Sequence, residues 1–153
     1  MRDVVIVDSV RTGLTKAFRG SFNLTRSDDM LAHCIDSLLD RNPNVGADEV
    51  EDVVVGAATH AGEQDGNIAR LAVILSKLPV TTAGVSINRF CSSGLQAIAI
   101  AANQIASGQT EVAIAGGVDS ISMRTRQEPG KAKQNQRLLD EKPDIFMAMG
   151  NTA

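Results

Sequence analysis

Four short runs of apolar, largely β-branched residues alternate with three helical stripes along the chain. "DVVIVDS" at 3–9, "EDVVVGAAT" at 51–59, "AGVSIN" at 83–88 and "TEVAIAGG" at 110–117 each read as a buried strand closed by turn formers. Between the first two, "SDDMLAHCIDSLLDRN" places Met30, Leu31, Cys34, Ile35, Leu38 and Leu39 on one face, with acids in the first turn and Ser27 as a candidate N-cap, and stops before Pro43 and Gly46. "NIARLAVILSKL" at 67–78 is a second amphipathic helix, ended by Pro79. A third runs from Ser93 to Ser107 and stops at Gly108. Strand and helix alternate throughout, which predicts an α/β fold with a mainly parallel sheet and helices on both faces.

The third helix has almost no wet side. Leu95, Ala97, Ile98, Ala99, Ile100, Ala101, Ala102, Ile105 and Ala106 cover most of its circumference, leaving a strip of Gln96, Asn103 and Ser107. A helix apolar nearly all round is expected to be covered nearly all round. One sheet covers one side only, so a second sheet, a second copy of the domain or another chain is expected on the other. After Met123 the character changes to polar and charged, with little strand signal. Residues 1–122 therefore read as one α/β domain, and 123–153 as the start of a partly mobile loop excursion from the sheet.

Composition narrows the class. The 153 residues are 43% hydrophobic and 22% charged, with no Trp or Tyr, so the core is built of Ala, Val, Ile and Leu. A net charge of −3, with no interleaving of basic and aromatic residues, speaks against a nucleic-acid partner. The longest apolar runs fall well short of the ~20 residues of a membrane span, and the first run is too short for the centre of a signal peptide, so a cytoplasmic protein without a membrane partner is expected. No GxGxxG follows any strand, which disfavours a dinucleotide site, and no His/Cys cluster suggests a metal. Cys34 and Cys91 read as two free thiols.

Cys91 lies in "VSINRFCSSGLQAI", at the bend from the third strand into the third helix. There a thiolate would be stabilised by the helix dipole and free N–H groups. Ser92, Ser93 and Gly94 permit a tight strand-turn-helix bend and leave N–H groups to hold an oxyanion, a geometry suited to acyl transfer through a thioester. The alternative reading is a small apolar residue packed under the sheet, and the local pattern leaves both open. Cys34 sits inside an amphipathic stripe and reads as core. His33 lies across the helix from that stripe and reads as solvated. His60 follows the second strand, on the edge where Cys91 also lies if those strands are parallel; it is a candidate base for Cys91 or a surface residue.

These segments resemble the thiolases. "VSINRFCSSGLQAI" resembles their nucleophile segment, "GEQDGNIARLAVILSKLPVTTAGV" the helix and strand before it, "VVIVDSVRTGLTKAFRGSF" their amino-terminal strand and loop, and "MAMGNTA" at 147–153 their Met-Gly-x-Thr-Ala segment. The Arg-Phe-Cys-Ser-Ser-Gly form is closer to 3-ketoacyl-CoA thiolases (acetyl-CoA acyltransferases) than to the acetoacetyl-CoA type. The resemblance implies two similar α/β halves, of which this chain is the amino-terminal one. It implies that Cys91 is acylated by a 3-ketoacyl-CoA, releases acetyl-CoA and passes the acyl group to coenzyme A. Coenzyme A and acyl-CoA are then substrates, with no bound cofactor and no metal, and Met149 lines the acyl pocket. A second cysteine, a histidine and an Asn–water oxyanion site would belong to segments beyond position 153, in a missing carboxy-terminal half, so the fragment alone is expected to be inactive and to associate as a homo-oligomer. A decarboxylating ketoacyl synthase, or a non-catalytic truncated domain that only associates with a partner, are the competing expectations.

Overall fold

The computed structural model describes residues 2–124 and 134–152. Three parallel strands form its sheet: β1 (Asp52–Gly56), β2 (Ala83–Ile87) and β3 (Ala113–Gly117), in the order β2-β1-β3. Val54 of β1 stands opposite Val85 of β2 and Ala115 of β3. The helices are α1 (Ser27–Arg41), α2 (Ile68–Leu75), α3 (Ser93–Ser107), α4 (Ile121–Arg124), α5 (Gln136–Glu141) and α6 (Met149–Thr152).

The core grows outward from β1. Val53 and Val55 point to one face, where Leu31 and Ile35 of α1 and Ile68, Ala69, Ala72 and Val73 of α2 pack on them; Val54 points to the other, against Ala97 and Ala101 of α3. All three valines are buried completely, and each contributes on the order of 1.5–3 kcal/mol by leaving water. The α/β class and the helices on both faces are thus as the pattern predicts. His33 is exposed on the outer side of α1.

Helix ends follow local chemistry. Asn67 caps α2 by accepting the Arg70 N–H at 3.1 Å, and Gly108 closes α3 in the left-handed conformation at φ 79°. Ser27 is not an N-cap. It is the first residue of α1, and its N–H and hydroxyl both donate to Glu63 Oε1, at 2.8 and 2.9 Å. The buried carboxylate from the loop after β1 thus serves the free donors that a local cap would otherwise meet.

The first strand expectation is corrected: residues 3–9 are not a strand, because no strand among the described residues offers them a ladder. The segment is tied at its ends: Arg2 N–H donates to the Ala106 carbonyl at 3.1 Å, and Asp8 accepts from Asn42 Nδ2 at 2.9 Å and Arg41 Nη2 at 2.8 Å. Between these ties Val5, Ile6 and Val7 are exposed. Within this chain α3 is covered on one side only. Ser93, Ala97 and Ala101 are buried, whereas Leu95 is 72% exposed and Ile98 is also open, because a three-stranded sheet shields one side and no further layer lies among the described residues.

The seat of α3 on the sheet is tight. A Cβ on Gly56 would stand 2.2 Å from the Ser93 carbonyl carbon and 2.5 Å from the Gly94 nitrogen. Those are backbone atoms that cannot rotate away, so the first turn of α3 rests directly on the carboxyl end of β1. Gly116 has open space at the same position. Gly56→Ala is expected to destabilise the protein by about 3 kcal/mol, the upper part of the overpacking range, with Gly116→Ala near neutral, as read from urea unfolding midpoints.

Candidate functional site

Because the strands are parallel, the segments that leave them gather at one edge of the sheet: 57–60 after β1, 88–92 after β2 and 118–122 after β3. The middle of these carries Cys91. Asn88 Oδ1 accepts the Phe90 N–H at 2.8 Å, and Phe90 takes a positive φ of 48°, a conformation that costs a side chain on the order of 1 kcal/mol. The buried Ser93 hydroxyl accepts the Arg89 N–H at 2.8 Å and donates to the Phe90 carbonyl at 2.6 Å. Arg89 also reaches along α3 to donate to Gln96 Oε1. So braced, the turn presents Cys91 as a free, exposed thiol two residues before the helix. Within this chain Cys91 is therefore not packed under the sheet.

Not every expectation for this turn holds. The Ser92 and Ser93 N–H groups are directed inward, to the Arg89 and Phe90 carbonyls at 3.2 and 3.0 Å, and so are not free to hold an oxyanion at Cys91. His60 Nε2 lies 3.0 Å from the Ala57 carbonyl and donates to it, folding the ring onto its own loop. The two residues share a sheet edge, yet no hydrogen bond joins them among the described residues. Met149 opens α6 and is exposed.

The neighbouring loop is held by groups the sequence reading passed over. Asp119 Oδ2 accepts the Ala58 N–H at 2.8 Å, and its Oδ1 accepts the Thr59 N–H at 3.2 Å and Gln64 Nε2 at 3.0 Å. Gln64 is fully buried; its Oε1 accepts the Ser120 N–H at 2.6 Å and its amide donates to the Thr59 carbonyl at 2.8 Å. Asn88 Nδ2 completes the connection by donating to the Ala58 carbonyl at 3.1 Å. A short polar residue within two positions of a strand's end, as Asn88 and Asp119 are, is the signal that marks such roles, since their side chains reach nearby backbone groups.

Cys34 belongs elsewhere. It is half-buried and lines a cavity of about 350 Å³ between α1, the segment 10–17 and the α1 face of β1 and β3, with Met30, Leu31, Leu38, Val53 and Ile114. Burial pushes the thiol up from its ordinary range, against a partial opposing effect of the Thr12 backbone. Cys91 is not part of this cavity. Among the described residues no cluster of His, Cys, Asp and Glu is arranged to hold a metal ion, and no helix is long and apolar enough to cross a membrane.

Residues 4–152 match the family model described as thiolase, N-terminal domain. A β-ketoadipyl-CoA thiolase of Pseudomonas putida is 44% identical over 92% of this chain and 36% of its own length. A 3-ketoacyl-CoA thiolase of Bacillus subtilis is 39% identical over the whole chain and 39% of its own length, and one of Aliivibrio salmonicida is 41% identical over 79% of the chain. The chain thus spans between 31% and 39% of the length of these relatives. With a parallel β2-β1-β3 sheet, a braced cysteine turn ahead of α3, and a match running nearly end to end, the chain belongs to the thiolase family and corresponds to its amino-terminal domain.

Proposed function

We propose that the complete protein is a thiolase-type acyltransferase in which Cys91 carries the acyl group. The observation that carries this reading is the exposed thiol on a strained turn, braced by Asn88 and Ser93, at the carboxyl edge of a parallel sheet. The Cys91 thiolate attacks the 3-keto carbonyl of a 3-ketoacyl-CoA. The bond between C2 and C3 breaks, its electron pair stays on C2, and protonation there releases acetyl-CoA. The thiolate of a second coenzyme A then attacks the cysteine thioester, giving an acyl-CoA two carbons shorter and restoring the Cys91 thiolate. Coenzyme A is a substrate throughout, and the steps as written require neither a prosthetic group nor a metal. The relatives' names support the substrate class, a 3-ketoacyl-CoA, including one with a carboxylate-ended acyl chain.

Within this reading, the proton donor, the base for Cys91 and the oxyanion site come from segments outside this chain. The inward direction of the Ser92 and Ser93 N–H groups and the local bond of His60 favour that division. Met149 lines the acyl pocket once those segments are in place, and the protein works in the cytoplasm. In the complete protein, Cys91→Ala is expected to lower thiolysis of a 3-ketoacyl-CoA by about 10³-fold or more while acyl-CoA binding persists, because the thiolate supplies the covalent step and not the grip on the nucleotide. Turnover at the parent rate would end the proposal.

The same reading makes the chain an associating one. Leu95 and Ile98 of α3 and Val5, Ile6 and Val7 of the amino-terminal segment stand open to solvent. Open apolar groups of this extent favour association. Sedimentation of the 153-residue chain is expected to show a dimer or larger assembly, with no thiolysis; a stable monomer would contradict it.

A further inference from the structure

Residue 58 is grasped from both sides. Asp119 Oδ2, from the loop after β3, accepts its N–H at 2.8 Å, and Asn88 Nδ2, from the turn after β2, donates to its carbonyl at 3.1 Å. The other end of the Asn88 amide accepts the Phe90 N–H at 2.8 Å, directly before Cys91 and at the one residue of that turn with a positive φ. Two side chains, Asn88 and Asp119, therefore join the loops after three different strands at the Ala58 peptide, and Asn88 carries that connection to Phe90, next to Cys91. Asn88 is itself exposed, so it contributes little by burial, and both ends of its amide are engaged.

From this geometry we infer that Asn88 is the positioning residue of the Cys91 turn, holding Phe90 in its left-handed conformation and referencing the thiol to the Ala58 peptide, with Asp119 acting through that same peptide. The inference rests on the reading of Cys91 as the acylated nucleophile. It assigns Asn88 no contact with substrate. Phe90 is favoured to leave the left-handed region once its N–H is released, so loss of the Asn88 carboxamide lets the turn relax and the thiol swing from its set direction. Asp in place of Asn retains an acceptor for the Phe90 N–H and loses the donor to Ala58, which separates the two halves of the role.

The test uses the complete protein, with two readouts. The first is the rate of iodoacetamide labelling at Cys91 against Cys34, followed by peptide mass spectrometry; Cys34, half-buried across the sheet, reports any general loosening. In the parent, Cys91 is labelled first. In Asn88→Ala the Cys91 rate is expected to fall about fivefold or more with the Cys34 rate unchanged, and in Asn88→Asp to lie between. The second is steady-state thiolysis: kcat is expected to fall about 10–100-fold with KM within about threefold. Asp119→Ala combined with Asn88→Ala should cost less than the two effects multiplied, since both act through residue 58. A Cys91 rate within twofold of the parent in Asn88→Ala, or Cys34 and Cys91 rates that change together, would overturn the inference. A parent without thiolysis would remove the reaction assigned to Cys91, while the labelling ratio would still decide the role of Asn88.

Discussion

The contact on which the rest depends is backbone against backbone, where the first turn of α3 sits on the carboxyl end of β1. Gly56 leaves no room for even a methyl group beneath Ser93 and Gly94. A Cβ on Gly117 of β3 would in turn lie 3.1 Å from the Gly94 Cα. With the helix start fixed in this way and β2 fixed by its ladder to β1, five residues are left to join Ile87 to Ser93. That short span is why Phe90 takes a conformation unusual for an aromatic residue, and why the Ser93 hydroxyl and that of the N-cap Ser92 both turn back to the backbone of the turn, leaving the helix start without a side-chain cap. The exposed Cys91 follows from the packing beneath it.

Stability and chemistry are thereby separated. The fully buried valines of β1, with α1 and α2 on one side and α3 on the other, supply the rigid part. The residues that would serve chemistry sit in three loops at one sheet edge, held by side-chain hydrogen bonds from Asn88, Gln64 and Asp119 to backbone groups. Sites placed on loops over a rigid scaffold are the usual arrangement for catalysis. Here the bracing reaches across loops that leave three different strands, so the position of the thiol is set by the sheet as a whole.

How much of this the sequence reveals depends on whether the cause is local. The stripes of α1 and α2, the Gly108 stop and the valine run of β1 are local signals, and the elements form where they indicate. Residues 3–9 carry an equally strong strand pattern, but a strand needs a neighbour, and β-propensity expresses a fit to a half-buried surface more than a preference of the backbone. The apolar circumference of α3 is a similar case: the pattern states what the helix would bury, while the extent of the sheet decides how much of it is covered. At the site, the strand-to-helix turn that carries Cys91 was legible in the sequence. Asn88 and Asp119 were not, since their roles arise from groups 30 to 61 residues away in sequence, and neither did the pattern show that Ser92 and Ser93 turn their N–H groups inward.

The central claim is that Cys91, held out by this turn, takes up the acyl group as a thioester. The complete protein, mixed with a 3-ketoacyl-CoA in the absence of free coenzyme A, quenched in acid and digested, should yield the peptide containing Cys91 heavier by the mass of the shortened acyl group, with the adduct removed by added coenzyme A. An unmodified Cys91 peptide while acetyl-CoA is released, or the adduct on Cys34, would contradict the account.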